Sequence, residues 1–416
     1  MLLRVLQTGR RGDDDLLPRE LLLAAACCRW PLSQARNAAV SAAAAGIDWN
    51  SFLQTVRRQR VAGLVHEALS SARVAVPDPT ARALAAAAGR IVLQNLALAA
   101  ETVRLQRAFE AAGVALVVLK GVALAQLAYG SLNVKHARDI DLLVSPDCAE
   151  AALGVLAAEG YALCYPAERL SDTQRRAVFR FAREVTLVHC SNKFTVELQW
   201  RLTNNPLLLR NIDVHSPTQN VAIANGHTVR TLASDDLFAY LCAHGAQHAW
   251  SRLKWLADLN ALIAAGAADC RHLYLHAQAK GAGVCAGQAL LLCRRLFDLA
   301  LPAGLLEKIR SDHRSTMLVR TAIRTMADPY AEAEAGRSFA GLGRVMLSQF
   351  LLGNHRAFYA AEWRVASVRT LDLIDLPLPP RLHFLYPLLR LPLWLRRRLV
   401  PAWGNSARLE SPRRQR

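Results

Sequence analysis

Two aspartates, Asp139 and Asp141, stand one residue apart at the entry to an apolar run, "DIDLLV" (139–144). The run is too short for a helix and is stopped by Ser145-Pro146, so it reads as a strand. Strand side chains alternate, which puts both carboxylates on one side and Ile140 and Leu142 on the other. Two like charges held this close repel each other unless a cation lies between them. The feature therefore asks for a sheet with one core face and one face that handles charge. Alone it is a weak signal, because a D-x-D at a strand start is also a common solvated edge.

The residues upstream add a second constraint. The β-branched run "VALVVL" (114–119) ends on Lys120-Gly121, and a short helical stretch follows over 122–129. A strand giving way to a helix at glycine aims free backbone N–H groups, and the positive helix end, at one point. Glycine there lets a phosphate come close to the backbone. Lys120 is either a phosphate partner or an ordinary strand-end lysine. A third acid, Glu197, lies between Val196 and Leu198 in "FTVELQW" (194–200). If that strand lies beside 139–144, the three carboxylates share one sheet surface; otherwise Glu197 is an exposed strand residue.

Around this centre the texture is helical. Residues 15–112 repeat apolar positions at helical spacing up to Gly113, with Pro77 and Pro79 marking a loop. After "DIDLLV" the pattern predicts a helix over 147–159, then "YALCY", then a hairpin of "EVTLVH" (184–189) and "FTVELQW" joined by "CSNK". From Ser234 onward the chain is helical again. The fold class expected is α+β, a small mixed sheet between two helical regions. The expected divisions are 1–112, 113–232, 233–370 and a basic aromatic tail, 371–416, whose end (405–416) is disordered.

The order glycine turn, helix, D-x-D, then a lone acid in a later strand resembles the polymerase-β-like nucleotidyltransferase superfamily. More closely, "LKGVALAQLAYG…RDIDLLV" with "VELQW" resembles the bacterial uncharacterised nucleotidyltransferases. The resemblance implies that Asp139, Asp141 and Glu197 are catalytic and hold magnesium, or manganese in its place. It also implies that Gly121 lies in the nucleotide-binding turn, with Lys120 and Arg138 beside it. Two departures stand out: Lys120 precedes a single Gly121 where classical members have Gly-Ser, and Gln199 stands where histidine is expected. The implied reaction moves a nucleoside monophosphate from an NTP to an acceptor hydroxyl by a two-metal mechanism. The acceptor (sugar, peptide, protein or small metabolite) is not specified by the sequence.

"DDLFAYLCAHGAQHAWSRLKWLADLNALI" (235–263) reads as one amphipathic helix or a helical pair. His244 and His248 are four apart, but H-G-A-Q-H lacks the glutamate of a zinc-protease helix. By the resemblance, His244, Arg252, Trp255 and Asp258 line the nucleotide or acceptor cleft; the alternative is a hydrogen-bonded polar seam.

The net charge of +18 bears on partners. Residues 371–416 hold nine arginines against three acids, a local balance of +6. "RLHFLYPLLRLPLWLRRRLVPAWG" (381–404) combines five of those arginines with aromatics and leucines, which suits contact with anionic lipid. Pro387 and Pro392 argue against a continuous amphipathic rod, and favour an arm packed over the helical region. No basic groove with interleaved aromatics surrounds the motifs, so a nucleic-acid-modifying enzyme, and any specific nucleic-acid partner, ranks low. A nucleotide-binding protein without turnover is the other alternative, disfavoured by three intact acids. The nine cysteines show no zinc or redox spacing and suit core thiols in a reducing compartment. No uninterrupted apolar run reaches the roughly 18 residues that cross a bilayer. The N-terminus lacks a signal-peptide core. The expected location is cytoplasmic, with peripheral contact at the inner membrane.

Overall fold

The structure, a computed structural model, describes residues 17–224, 226–266, 269–328 and 346–399. It opens with four short helices, α1 (Arg19–Cys27), α2 (Gln34–Ala43), α3 (Trp49–Gln59) and α4 (Ala62–Ser71). The long α5 (Asp78–Ala111) follows. Ser33 and Asp48 each accept a backbone N–H at the starts of α2 and α3, meeting donors that a helix leaves unpaired. The expected loop at Pro77 and Pro79 is shorter than the pattern suggested. Pro77 caps α5 and Pro79 lies in its first turn, where a missing N–H costs nothing.

A mixed, five-stranded sheet comes next. Its strands are β1 (Val117–Val118), β2 (Ile140–Leu143), β3 (Tyr161–Tyr165), β4 (Glu184–His189) and β5 (Thr195–Gln199), in spatial order β1-β2-β5-β4-β3. Three helices interleave with them: α6 (Gly121–Tyr129), α7 (Ala149–Ala158) and α8 (Asp172–Phe181). The β4–β5 hairpin has the register expected from its alternation, with Leu187 opposite Val196 and Val185 opposite Leu198. β2 and β5 run parallel. Ile140, Leu142, Val185, Leu187, Val196 and Leu198 are all buried in one apolar core beneath the sheet.

The sequence pattern did not anticipate α8 or a second hairpin, β6 (Thr218–Ala224) with β7 (His227–Leu232), which forms its own two-stranded sheet. Arg230 ties it down by donating to the Leu116 carbonyl at 2.8 and 3.1 Å.

The remaining helices are α9 (Ser234–Gln247), α10 (Leu253–Ala265), α11 (Cys270–Ala279), α12 (Gly283–Phe297), α13 (Ala303–Ser311), α14 (His313–Ala327), α15 (Arg356–Ser367), α16 (Thr370–Asp375) and α17 (Tyr386–Leu399). Side chains of α1–α4 share one core with those of α9–α14, although the sheet separates them in sequence. Gln59 links the two groups: its Nε2 donates to the Met326 carbonyl (3.2 Å) and its Oε1 accepts from the Leu253 N–H (2.6 Å). The expected α+β class therefore holds, with the helical regions before and after the sheet packed together. All nine cysteines are free thiols, and six of them are buried.

Two expectations need correction. α5 is, among the described helices, one long and apolar enough to cross a bilayer by length and composition, which a search for unbroken runs passed over. One of its faces is nevertheless built into the protein: Asn95 and Glu101 are buried and bonded to the loop 132–137 and to Tyr161. The second correction concerns the tail. α17 is continuous through both prolines. Pro387 lies in the first turn, and Pro392 removes a single backbone hydrogen bond at an exposed position where water can serve the freed carbonyl. Residues 400–416, including the segment expected to be disordered, lie outside the described residues.

Candidate active site

The site is built from the polar face of the sheet. Because β2 and β5 pair in parallel with Asp141 directly beside Glu197, the two carboxylates emerge on the same face. Both are buried, at 1% and 5% exposure, which is exceptional for acids placed side by side. Gln199, one step along β5, donates from Nε2 to Asp141 Oδ1 at 3.1 Å. The glutamine standing where histidine was expected thus orients the aspartate. Asp139 lies just before β2, half-buried and within electrostatic reach of Asp141.

Lys120 and Gly121 close the site from the other side. Gly121 has φ +63°, in the left-handed region, and a Cβ there would lie 3.3 Å from the Asp139 carbonyl oxygen. Glycine is therefore required twice over, by backbone conformation and by the approach of the D-x-D strand. α6 begins at this residue, so its positive N-terminal end lies beside the D-x-D strand. Lys120 Nζ sits 2.8 Å from Asp141 Oδ1, with only 13% of the side chain exposed. Burial, the largest influence, disfavours its charge, but Asp141, Tyr240, Glu197 and Asp139 together raise its pKa. Asp141 itself is pushed up to about 7, first by burial; Lys120 pulls it down while Asp139 and Glu197 push it up. One atom stays unanswered, since Asp141 Oδ2 is buried without a hydrogen-bond partner among the described residues.

α9 and α10 supply the roof. Tyr240 of α9 lies near both Lys120 and Asp141, and burial pushes its phenol up to about 12. His244, one turn on, is buried beside Tyr240 (ring centroids 5.8 Å apart). It also packs edge-on against Trp255 (5.7 Å) and His248 (4.7 Å), while His248 stacks on Trp255 at 5.1 Å. The two histidines thus belong to an aromatic cluster. Arg252 is the residue immediately before α10, and its side chain does not cap the helix. Asp258 has both oxygens engaged: Tyr129 donates at 3.0 Å and Lys135 Nζ lies 2.7 Å away. Its place in the cleft is therefore as an anchor holding α6 and the loop 130–139 against α10.

Of the basic residues on that loop, the sequence reading named Arg138 but neither Lys135 nor His136. Asn95 of α5 clasps it by donating to the carbonyls of Leu132 (2.5 Å) and Lys135 (2.6 Å). It presents His136 and Arg138, both half-buried, ahead of Asp139. His136 is pushed down to about 4 by burial and then by the nearby cations Lys254, Arg138 and Lys135. Lys254, on α10, is pushed down to about 7 by burial and by Lys135, against the pull of Asp139 and Asp258. Lys254 was legible only as a lysine between Leu253 and Trp255 in an otherwise apolar helix start. Lys120, Arg138 and Lys254 therefore gather at the edge of the carboxylate face with a neutral His136 among them, an arrangement suited to a polyanion.

Among the described residues, no three His, Cys, Asp or Glu side chains are already grouped to hold a metal ion. Lys120 pairs with one oxygen of Asp141, and Lys254 lies within electrostatic reach of Asp139. A search of curated proteins returns no match. The profile of the uncharacterised nucleotidyltransferases does match, over residues 45–298. That span covers well over half of the chain and all of the site described, and on this extent the chain belongs to that family of nucleotidyl-transferring enzymes.

Proposed function

We propose that the chain transfers a nucleoside monophosphate from an NTP to an acceptor hydroxyl at the sheet face bearing Asp139, Asp141 and Glu197. The observation that carries the proposal is the register placing buried Asp141 beside buried Glu197, with Asp141 Oδ2 left without a hydrogen-bond partner among the described residues. Carboxylates buried side by side are unfavourable unless a cation answers them, and Lys120 reaches only one oxygen. An all-oxygen donor set of this kind fits a hard divalent cation, so Asp139, Asp141 and Glu197 are the residues that would hold magnesium or manganese. Divalent cations held by these three acids would make the acceptor hydroxyl more acidic and neutralise charge on the departing pyrophosphate.

The protein's own groups do the rest. The Gly121 turn and the α6 N-terminus offer backbone N–H groups to phosphate oxygens. Lys254 and Arg138 neutralise the triphosphate from the α10 and loop sides. Lys120 moves from Asp141 to a phosphate without leaving the site, because it stands between the strand face and the helix end. Gln199 keeps the Asp141 carboxylate turned toward the cleft. Bond making and breaking at the α-phosphorus then proceeds with the nucleotide held by its phosphates and the acceptor hydroxyl beside Glu197.

The test is transfer of label from an NTP marked at the α-phosphate to acceptors in a lysate of the source organism, with magnesium present. Wild-type protein should label a discrete acceptor, and Asp141→Asn should label none. Equal labelling by the two proteins would refute the proposal.

A further inference from the structure

Of the twelve large apolar side chains exposed among the described residues, seven lie between Tyr359 and Leu395. A monomer seldom leaves such a cluster uncovered without a partner for it. Four of them fall on one line: Phe384 (69% exposed), Leu388 (72%), Leu391 (61%) and Leu395 (41%). The steps of four, three and four residues keep them on one face of α17 and the turn leading into it. The opposite face is fixed to the protein. Tyr386 is fully buried against Leu373 and Ala177, its hydroxyl donates to the Leu376 carbonyl at 2.9 Å, and Leu393 is buried. α17 thus displays its leucine stripe from a firm base. The neighbouring α15, which packs against α17, adds exposed Trp363 (63%) beside Arg364.

Charge selects the occupant. Between Leu376 and Leu409 there is no acidic residue, and α17 with its lead-in carries five arginines, Arg381, Arg390 and Arg396 to Arg398. Two copies meeting through this helix would bring two acid-free, arginine-rich segments together, which disfavours self-pairing. An exposed leucine stripe on an arginine-rich, acid-free helix, packed against a helix with an exposed tryptophan, matches a bilayer surface: acyl chains take the leucines and anionic headgroups take the basic charge. We infer that the α15–α17 face is a peripheral membrane-docking surface for anionic lipid, with α17 lying in the plane of the interface. The inference is independent of the proposed reaction, because none of these residues belongs to the carboxylate site.

The experiment is flotation of the full-length chain with vesicles of phosphatidylcholine alone, and of phosphatidylcholine with phosphatidylglycerol. Wild type should float with the anionic vesicles, less so as salt rises, and hardly at all with the neutral ones. Leu388→Glu/Leu391→Glu, at two exposed positions, should lower partitioning by roughly a hundredfold or more. An unchanged far-UV circular dichroism spectrum and urea unfolding midpoint for that variant show that the fold is kept. Failure of the wild type to float with anionic vesicles would overturn the inference, as would equal flotation of the double variant. A concentration-dependent dimer that the double variant abolishes, without vesicle binding, would reassign the face to self-association.

Discussion

Lys120→Met isolates the buried ion pair on the carboxylate face. In wild type, the Lys120 ammonium lies 2.8 Å from Asp141 Oδ1, and both groups are nearly closed to water. Methionine keeps the length of the side chain and removes the cation. Asp141 is then left with Gln199 as its hydrogen-bond donor, beside Asp139 and Glu197. Breaking a buried ion pair from one side costs about 3–5 kcal/mol. A buried carboxylate takes up a proton rather than stay charged, and Asp141 already lies near 7, so the cost falls toward the low end, about 3 kcal/mol. Divalent cation should recover most of this, since a ligand at a hundred times its dissociation constant adds about 2.7 kcal/mol. The assay is urea unfolding of both proteins in chelator and in magnesium. The expected pattern is a large deficit for Lys120→Met in chelator that shrinks with magnesium, while wild type gains less. Equal stability in chelator would show that the ion pair is not an energetic element of the fold. A deficit that magnesium leaves untouched would show that these acids do not hold a divalent cation.

Other outcomes follow from the same geometry. Gly121→Ala forces a side chain into a left-handed position 3.3 Å from the Asp139 carbonyl oxygen. It should cost about 1–3 kcal/mol in unfolding experiments and weaken NTP binding more than that strain alone explains. Lys254→Met should raise the NTP dissociation constant about tenfold or more, equivalent to about 1.4 kcal/mol, with little change for the free nucleoside; calorimetric titration distinguishes the two. His272, whose Nε2 lies 2.8 Å from Asp235, has its pKa raised by that hydrogen bond between α11 and α9. A raised folded-state pKa stabilises the protein below the ordinary histidine value and is lost as pH rises through the folded value. The gap in unfolding midpoint between wild type and His272→Gln should therefore be widest at acidic pH and close toward alkaline pH, and a constant gap would contradict this.

The features readable in the sequence were those with a short period. Alternation in "DIDLLV" and "FTVELQW" separated Ile140, Leu142, Val196 and Leu198 from the acids without any knowledge of the partner strand. The Gly121 turn was readable because a β-branched run cannot pass into a helix there without a permissive residue. What the sequence concealed is long-range. Lys254 joins Lys120 and Asp139 only because Asp258 fastens α10 to Tyr129 and Lys135. The role of Lys120 depended on which strand lay opposite it. The β6–β7 hairpin escaped notice because "TQNVAIA" and "HTVRTL" lack strong alternation and gain their order from packing on α5, α6 and β1. The helix through Pro392 escaped because one lost backbone hydrogen bond is outweighed by the anchoring of Tyr386 and Leu393.

The central claim is that three acids on one sheet face carry out nucleotidyl transfer, and Glu197 is its most exposed point. Glu197→Gln keeps the volume and the β5 register but removes the charge beside Asp141. Transfer of α-phosphate label to acceptor should be followed alongside NTP affinity in the same preparation. The account predicts that affinity stays within a few-fold of wild type, because the Gly121 turn and the cations hold the triphosphate, while transfer falls by about two orders of magnitude or more. Transfer at the wild-type rate by Glu197→Gln would contradict it.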